Sequence, residues 1–254
     1  IERFTWLSQG CISGFEAIYG DLLDKIRGVA GIELPDEKLL AEISKVSGLI
    51  EISKTSSRAE NWRRVASRIG VDPQELSELI DPIVNIYAVA DHTKCLTFLL
   101  AEGVVPSNVR EGYLTRLLIR RTCRLLRNLS IEDRLFDIVE MQISLWSKDF
   151  PHLKELRDEI LELLSIEREK YEQTLSRGHN LVRRIIQEQR RRGTAEIPLE
   201  ELVELYDSHG LTPEVVSEMA EAEGVEIHVP ENFYSYVAEK HMGAPEGERT
   251  LLTE

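Results

Sequence analysis

Six of the eighteen residues from Arg110 to Arg127 are arginine, in a chain whose formal net charge is −14. Arg116, Arg120, Arg124 and Arg127 fall four, four and three positions apart, a spacing that puts side chains on one face of an α-helix. Leu117, Leu118, Leu125 and Leu126 supply a face for a core, and Arg121 widens the charged one. Two chemistries suit such a face. It pairs with carboxylates of neighbouring helices, which are plentiful among 45 Asp and Glu residues, or it tracks the phosphates of a nucleic acid. The second use adds affinity without sequence information, and each contacted phosphate costs about 0.7–0.9 in the slope of log affinity against log salt. Arg183, Arg184, Arg190, Arg191 and Arg192 form a second cluster at the end of a predicted helix. There the helix dipole favours cations, so this cluster reads as structural.

Just before the first basic run stands VVPSNVREGY, in which Pro106, Ser107, Asn108 and Gly112 predict a tight turn that sets a polar side chain beside the arginines. Taken alone, Asn108 is a turn residue or a cap. Asp207, in LYDSHG, reads by itself as a carboxylate that caps a helix or accepts a backbone N–H near a turn. Asp91 and His92 fall on a core-facing helix, where His92 is expected as a hydrogen-bonded structural histidine, and Tyr113 and Tyr206 are expected to pack in the core. There is no G-x-S-x-G, H-E-x-x-H or phosphate loop to support a stand-alone hydrolase. Cys11, Cys95 and Cys123 are odd in number and widely spaced, which argues against a disulfide framework or zinc knuckle and predicts reduced, buried thiols.

Helix punctuation is present along almost the whole chain. Asp72, Pro73 and Glu75 form a capping box with proline at the first helical position, Ser130 with Asp133 repeats the device, and Thr212 precedes Pro213. Ile86, Val89, Ala90, Leu96 and Leu100 make a helical stripe that stops at Gly103, and Tyr171, Leu175, Gly178, Val182 and Ile185 mark a long helix ending at RRRGT. Only Val225, Ile227 and Val229 alternate as a strand would. The fold class is therefore all-α, in two helical halves with at most one short strand and a break at residues 128–132. A chain of 254 residues, 42% of them apolar, buries a substantial core. It contains no run near the ~20 apolar residues that span a bilayer, and with no signal-like N-terminal block it is expected in the cytoplasm.

The order of several stretches carries more than their composition. ADHTKCLTFLLAEGVVPSNVREGYLTRLLIRR resembles the segment of alanyl-tRNA synthetases, class II enzymes, that follows their catalytic domain. IERFTWLSQG is similar to the end of class II motif 3, EREKYEQTLSRGHNLVRRI to the family's long helix, and LVELYDSHGLTPEVVSEMA to its L-Y-D-x-x-G motif. The Ser-His-Gly-Leu-Thr-Pro wording and VPENFYSYVAEKH resemble the archaeal branch.

The resemblance implies that residues 1–18 are the tail of a catalytic domain, 19–130 a first helical subdomain with the basic helix, and 131–254 a second with the long helices and the LYD segment. It implies a piece of a longer ligase that joins alanine to tRNA with ATP and Mg, the piece itself not being catalytic. The catalytic and editing domains, the latter with its zinc, would lie elsewhere, as would the dimerisation segment. Arg3 would touch ATP phosphate only in the full-length enzyme. The partner would be the acceptor stem of tRNA(Ala), recognised by a G·U wobble pair whose guanine 2-amino group lacks a Watson–Crick partner and faces the open minor groove of A-form RNA. By motif match Asn108, through its carbonyl, and Asp207, through its carboxylate, would accept from that amine, and Arg116, Arg120 and Arg121 would contact phosphates. The alternative from another class is an all-helical protein-interaction scaffold, in which the arginine face pairs internally.

Overall fold

The structure, a computed structural model, describes residues 8–11, 13–36, 38–40, 43, 58–191, 197–225, 227, 229–230, 233 and 236–237. Regular structure among them is helical throughout, and no strand forms. Val225 and Ile227 are buried outside any helix, while Glu226 and His228 of the expected strand lie outside the described residues. Contacts divide the chain into two compact units, residues 1–164 and 165–254.

In the first unit, α1 (Gly14–Tyr19), α2 (Asp21–Ala30), α3 (Arg58–Ile69), α5 (Arg110–Asn128) and α6 (Leu135–Trp146) gather around α4 (Pro73–Ala101), followed by the single turn α7 (His152–Glu155) and the start of α8 (Arg157–Arg191). α4 packs against α2, α3, α5 and α6, which is why its buried residues, from Leu76 through Ile86 and Leu96 to Leu100, cover more than one side. Its start follows the sequence: the Asp72 carboxylate accepts from the backbone N–H of Gln74 at 2.8 Å and of Glu75 at 3.2 Å, and Pro73 occupies the first turn, where a missing N–H costs nothing. Its end follows too. Gly103 takes a left-handed φ of 77°, and the Val104 N–H returns to the Leu99 carbonyl at 3.0 Å.

Buried polar groups on α4 are satisfied by α6. Gln142, with no exposed surface, donates to the Ala90 carbonyl at 2.7 Å and to Thr93 Oγ1 at 3.0 Å, and it accepts from the Trp146 indole at 2.9 Å. The Thr93 hydroxyl donates to the Val89 carbonyl at 2.7 Å. Two phenols tie α1 to α4: Tyr19 donates to Asp91 at 3.0 Å and Tyr87 to Glu16 at 2.8 Å. Burial and the facing carboxylate raise both; Tyr87 is pushed up to about 12.

The second unit contains α8 from Ser165 onward, α9 (Leu199–His209) and α10 (Pro213–Ala222). The predicted stripe Tyr171, Leu175, Gly178, Val182 and Ile185 is buried. Gly178 is there for closeness: a Cβ on it would stand 2.7 Å from a Leu211 methyl. Two arginines of the second basic cluster are structural, as expected. Arg183 pairs with the Glu223 carboxylate at 2.8 Å, and Arg190 donates to the Glu223 carbonyl at 2.8 Å, closing the end of α10.

Two local expectations are corrected. Ser130 is no N-cap; it sits at φ 57°, ends α5 in the left-handed conformation usually left to glycine, and hands over to a 3-10 turn at Glu132–Arg134 capped by Ile131 without a side-chain bond. Thr212 does occupy the N-cap of α10 ahead of Pro213, as expected, though without a side-chain hydrogen bond. Of the cysteines only Cys123 is buried, Cys95 being exposed and Cys11 half-buried.

Candidate nucleic-acid interface

The basic run forms α5, and its packing determines what the arginines can do. The side of α5 turned to α4 carries Gly112, Thr115, Ile119, Thr122, Cys123 and Leu126. Leu117, Leu118 and Leu125, expected on that side, are half-buried on its edges. The buried threonines manage this by giving their hydroxyls back to the helix, Thr115 to the Glu111 carbonyl at 3.2 Å and Thr122 to the Leu118 carbonyl at 2.7 Å. Arg116, Arg120 and Arg124 share one half-buried flank, while Arg121 and Arg127 are exposed. Arg116, Arg120 and Arg124 all have partners within the chain. The Arg121 charge falls on His92. Burial pushes that imidazole below its ordinary value, Asp91 opposes the shift and Arg121 adds to it. His92 Nδ1 is buried without a hydrogen-bond partner among the described residues, contrary to the bonded histidine expected.

Asn108 lies in the short loop between α4 and α5 and is exposed. The loop is bound to the first turn of α5. The Ser107 N–H donates to the Gly112 carbonyl at 3.0 Å, and the Ser107 hydroxyl donates to the Val109 carbonyl at 3.0 Å. Gly112 makes this approach possible, since a Cβ there would overlap both Ser107 Oγ and the Val105 carbonyl oxygen. Arg116 Nη1, two turns along α5, donates to Asn108 Oδ1. In the same stretch Val105, Val109, Tyr113 and Leu114 are exposed, Leu114 at 62%. Tyr113 is thus on the surface and not in the core.

Asp207 is half-buried in the last turn of α9, within the second unit. α9 ends through Gly210, whose φ of 65° lets the Leu211 N–H reach the Leu205 carbonyl at 3.0 Å. Asp207 has partners of its own. Tyr206 stands edge-on to Phe233, ring centroids 5.7 Å apart, as a packing residue would. Immediately past Asp207, Ser208 and His209 line a cleft with Thr174, Arg177 and Leu181 of α8, floored by Gly178. Neither Arg177 nor His209 stands in a basic run of the sequence, so only the fold sets the two at one cleft.

The structure therefore brings Asn108 and Arg116 together in the first unit, and it places Asp207 in the second. Arg3 lies outside the described residues. Among those residues no three His, Cys, Asp or Glu side chains gather as they would around a metal ion, and no helix is long and apolar enough to cross a membrane.

An all-helical chain with an arginine helix, an exposed asparagine held at its start and a carboxylate at a helix end matches, over residues 2–251, the model of the family described as tRNA synthetases class II (A), and the chain belongs to that family. It is 48% identical to the alanine–tRNA ligase of Pyrococcus furiosus over 94% of its own length, and 46% identical to that of Pyrococcus abyssi over the same share. Against the alanine–tRNA ligase of Methanothermobacter thermautotrophicus the identity is 41% over 95% of the chain. The chain spans only about a quarter of the length of these relatives, 26% of each Pyrococcus protein and 27% of the Methanothermobacter one.

Proposed function

We propose that this chain is the acceptor-stem recognition part of an alanine–tRNA ligase, an enzyme that attaches alanine to tRNA(Ala) with ATP and Mg, and that it reads a G·U wobble pair through Asn108 and Asp207. The observation that carries the reading is the display of Asn108: an exposed carboxamide on a loop locked to the start of the arginine helix, in a chain similar to alanine–tRNA ligases along nearly its whole length. Arg120 and Arg121 supply attraction to phosphate without reading sequence. Specificity falls to the two uncharged or acidic side chains. A carboxylate only accepts, so Asp207 suits the free 2-amino group of the wobble guanine, which a G·C pair engages and an A·U pair lacks. A polar group left unpaired in a closed interface costs about 1–3 kcal/mol, enough to separate the right pair from a wrong one. ATP, with Arg3 as a ligand of its phosphate, and the catalytic and zinc-bearing editing domains belong to the remainder of such an enzyme.

The test is binding of this chain, at fixed moderate salt, to acceptor-stem hairpins that differ only in G·U against G·C. Preference for G·U, lost in Asn108→Ala and in Asp207→Ala with residual affinity kept, supports the reading. Binding that is absent, or equally weak and salt-labile for both hairpins, overturns it in favour of an interaction scaffold.

A further inference from the structure

The family resemblance would make Arg116 one more phosphate contact, but Nη1 of its guanidinium donates to Asn108 Oδ1. An arginine offers only donors, so the carboxamide atom it holds must be the oxygen, and the amino group is kept to the other side. Both ends of this pair are anchored. Arg116 stands on α5, and Asn108 stands on a loop tied to the same helix by the Ser107 N–H to Gly112 bond of 3.0 Å, with Gly112 bare beneath it.

We infer that Arg116 is a positioning residue for Asn108: it holds the carboxamide oxygen on its guanidinium so that Asn108 meets the RNA minor groove with its amino group, as a hydrogen-bond donor. This rests on the RNA reading above and changes its chemistry. Asn108 and Asp207 then do different work, the first donating to ring-nitrogen and carbonyl acceptors of the pair and the second accepting from the guanine 2-amino group. A donor reads a wobble pair only if it is fixed. The wobble displaces the pyrimidine sideways relative to a Watson–Crick pair, and a carboxamide free to rotate by half a turn would find a partner in either geometry. The planar, multi-donor guanidinium suits this task better than a point charge does.

The test is binding of the same two hairpins across a salt series by the unmodified chain, Arg116→Met and Asn108→Asp, together with the side-chain amide signals of Asn108 in the RNA-free chain by NMR. In Arg116→Met the G·U preference is expected to fall roughly tenfold, with affinity for the G·C hairpin and the salt slope unchanged. Asn108→Asp keeps an acceptor and a partner for Arg116 but has no donor, and it is expected to lose the preference as well. In the RNA-free chain, Arg116→Met is expected to shift the Asn108 amide signals. Three results overturn the proposal. One is equal weakening of both hairpins in Arg116→Met with a slope shallower by about 0.7–0.9, the mark of a phosphate contact. The others are a retained preference in Asn108→Asp and Asn108 amide signals indifferent to Arg116. If the unmodified chain shows no preference at all, the RNA reading itself fails and this proposal with it, a result visible before any variant is made.

Discussion

Gly112 illustrates how a single residue type sets the candidate site. The loop carrying Asn108 lies so close to α5 at this point that any side chain would strike Ser107 Oγ and the Val105 carbonyl. Gly112→Ala must therefore lift the loop, at a cost of about 1–3 kcal/mol for the overpacking. The melting temperature should drop and G·U preference should vanish, while helix content by circular dichroism stays as it is, because α5 itself tolerates alanine. His92 gives a second residue-scale prediction with a definite sign. Its proton affinity is lowered in the folded chain by burial, with Asp91 opposing and Arg121 adding. The folded state thus binds fewer protons than the unfolded one. Its contribution to stability is present above the ordinary value of 6.5 and is lost as pH falls through the lowered folded value. Urea midpoints at pH 7.5 and 5.5 should differ by less in His92→Gln than in the unmodified chain, and an equal difference would remove His92 from the account.

At the scale of elements, the joints between helices make the sharpest predictions. Ser130 takes a left-handed φ of 57° to end α5, a conformation that costs a residue with a Cβ about 1–2 kcal/mol and glycine nothing. Ser130→Gly should raise the urea midpoint, and Asp72→Ala should lower stability by about 1 kcal/mol through loss of the α4 cap. Capping of this kind was legible in the sequence because it is local: Asp72, Pro73 and Gly103 act on neighbours within a turn or two. The long stripe of Tyr171, Leu175, Gly178, Val182 and Ile185 was legible for the same reason, as one face of one helix. Which leucines of α5 would be buried was not. That depends on the side from which α4 approaches, and the sequence disguised the buried side with Thr115 and Thr122, whose polarity disappears once their hydroxyls bond to the preceding turn. The Arg116–Asn108 contact was also invisible, because it spans a loop–helix junction that meets only when the loop folds back over Gly112.

For the molecule as a whole, the governing fact is that a chain of net charge −14 is proposed to hold RNA. Long-range electrostatics oppose the encounter, and in physiological salt they are damped beyond about 8 Å. Attraction must therefore come from a few short-range contacts. That separates this chain from a general nucleic-acid binder, whose excess of cations produces a steep salt dependence. If Arg120 and Arg121 contact phosphate and Arg116 is occupied with Asn108, the slope of log affinity against log salt should be only about −1.4 to −1.8, at 0.7–0.9 for each phosphate. Arg120→Gln and Arg121→Gln should each weaken the G·U and G·C hairpins alike and flatten the slope by a similar step, leaving the preference between them intact. Random-sequence duplex DNA, which offers phosphates without the wobble pair or the wide A-form minor groove, should bind far more weakly than either hairpin in the same buffer. A slope of about −5 or steeper would mean that further cations engage, with Arg177, which lines the cleft beside Ser208 and His209, the first to substitute. It would also mean that affinity is spread over the surface, and the division of labour between arginines that hold and side chains that read would have to be abandoned.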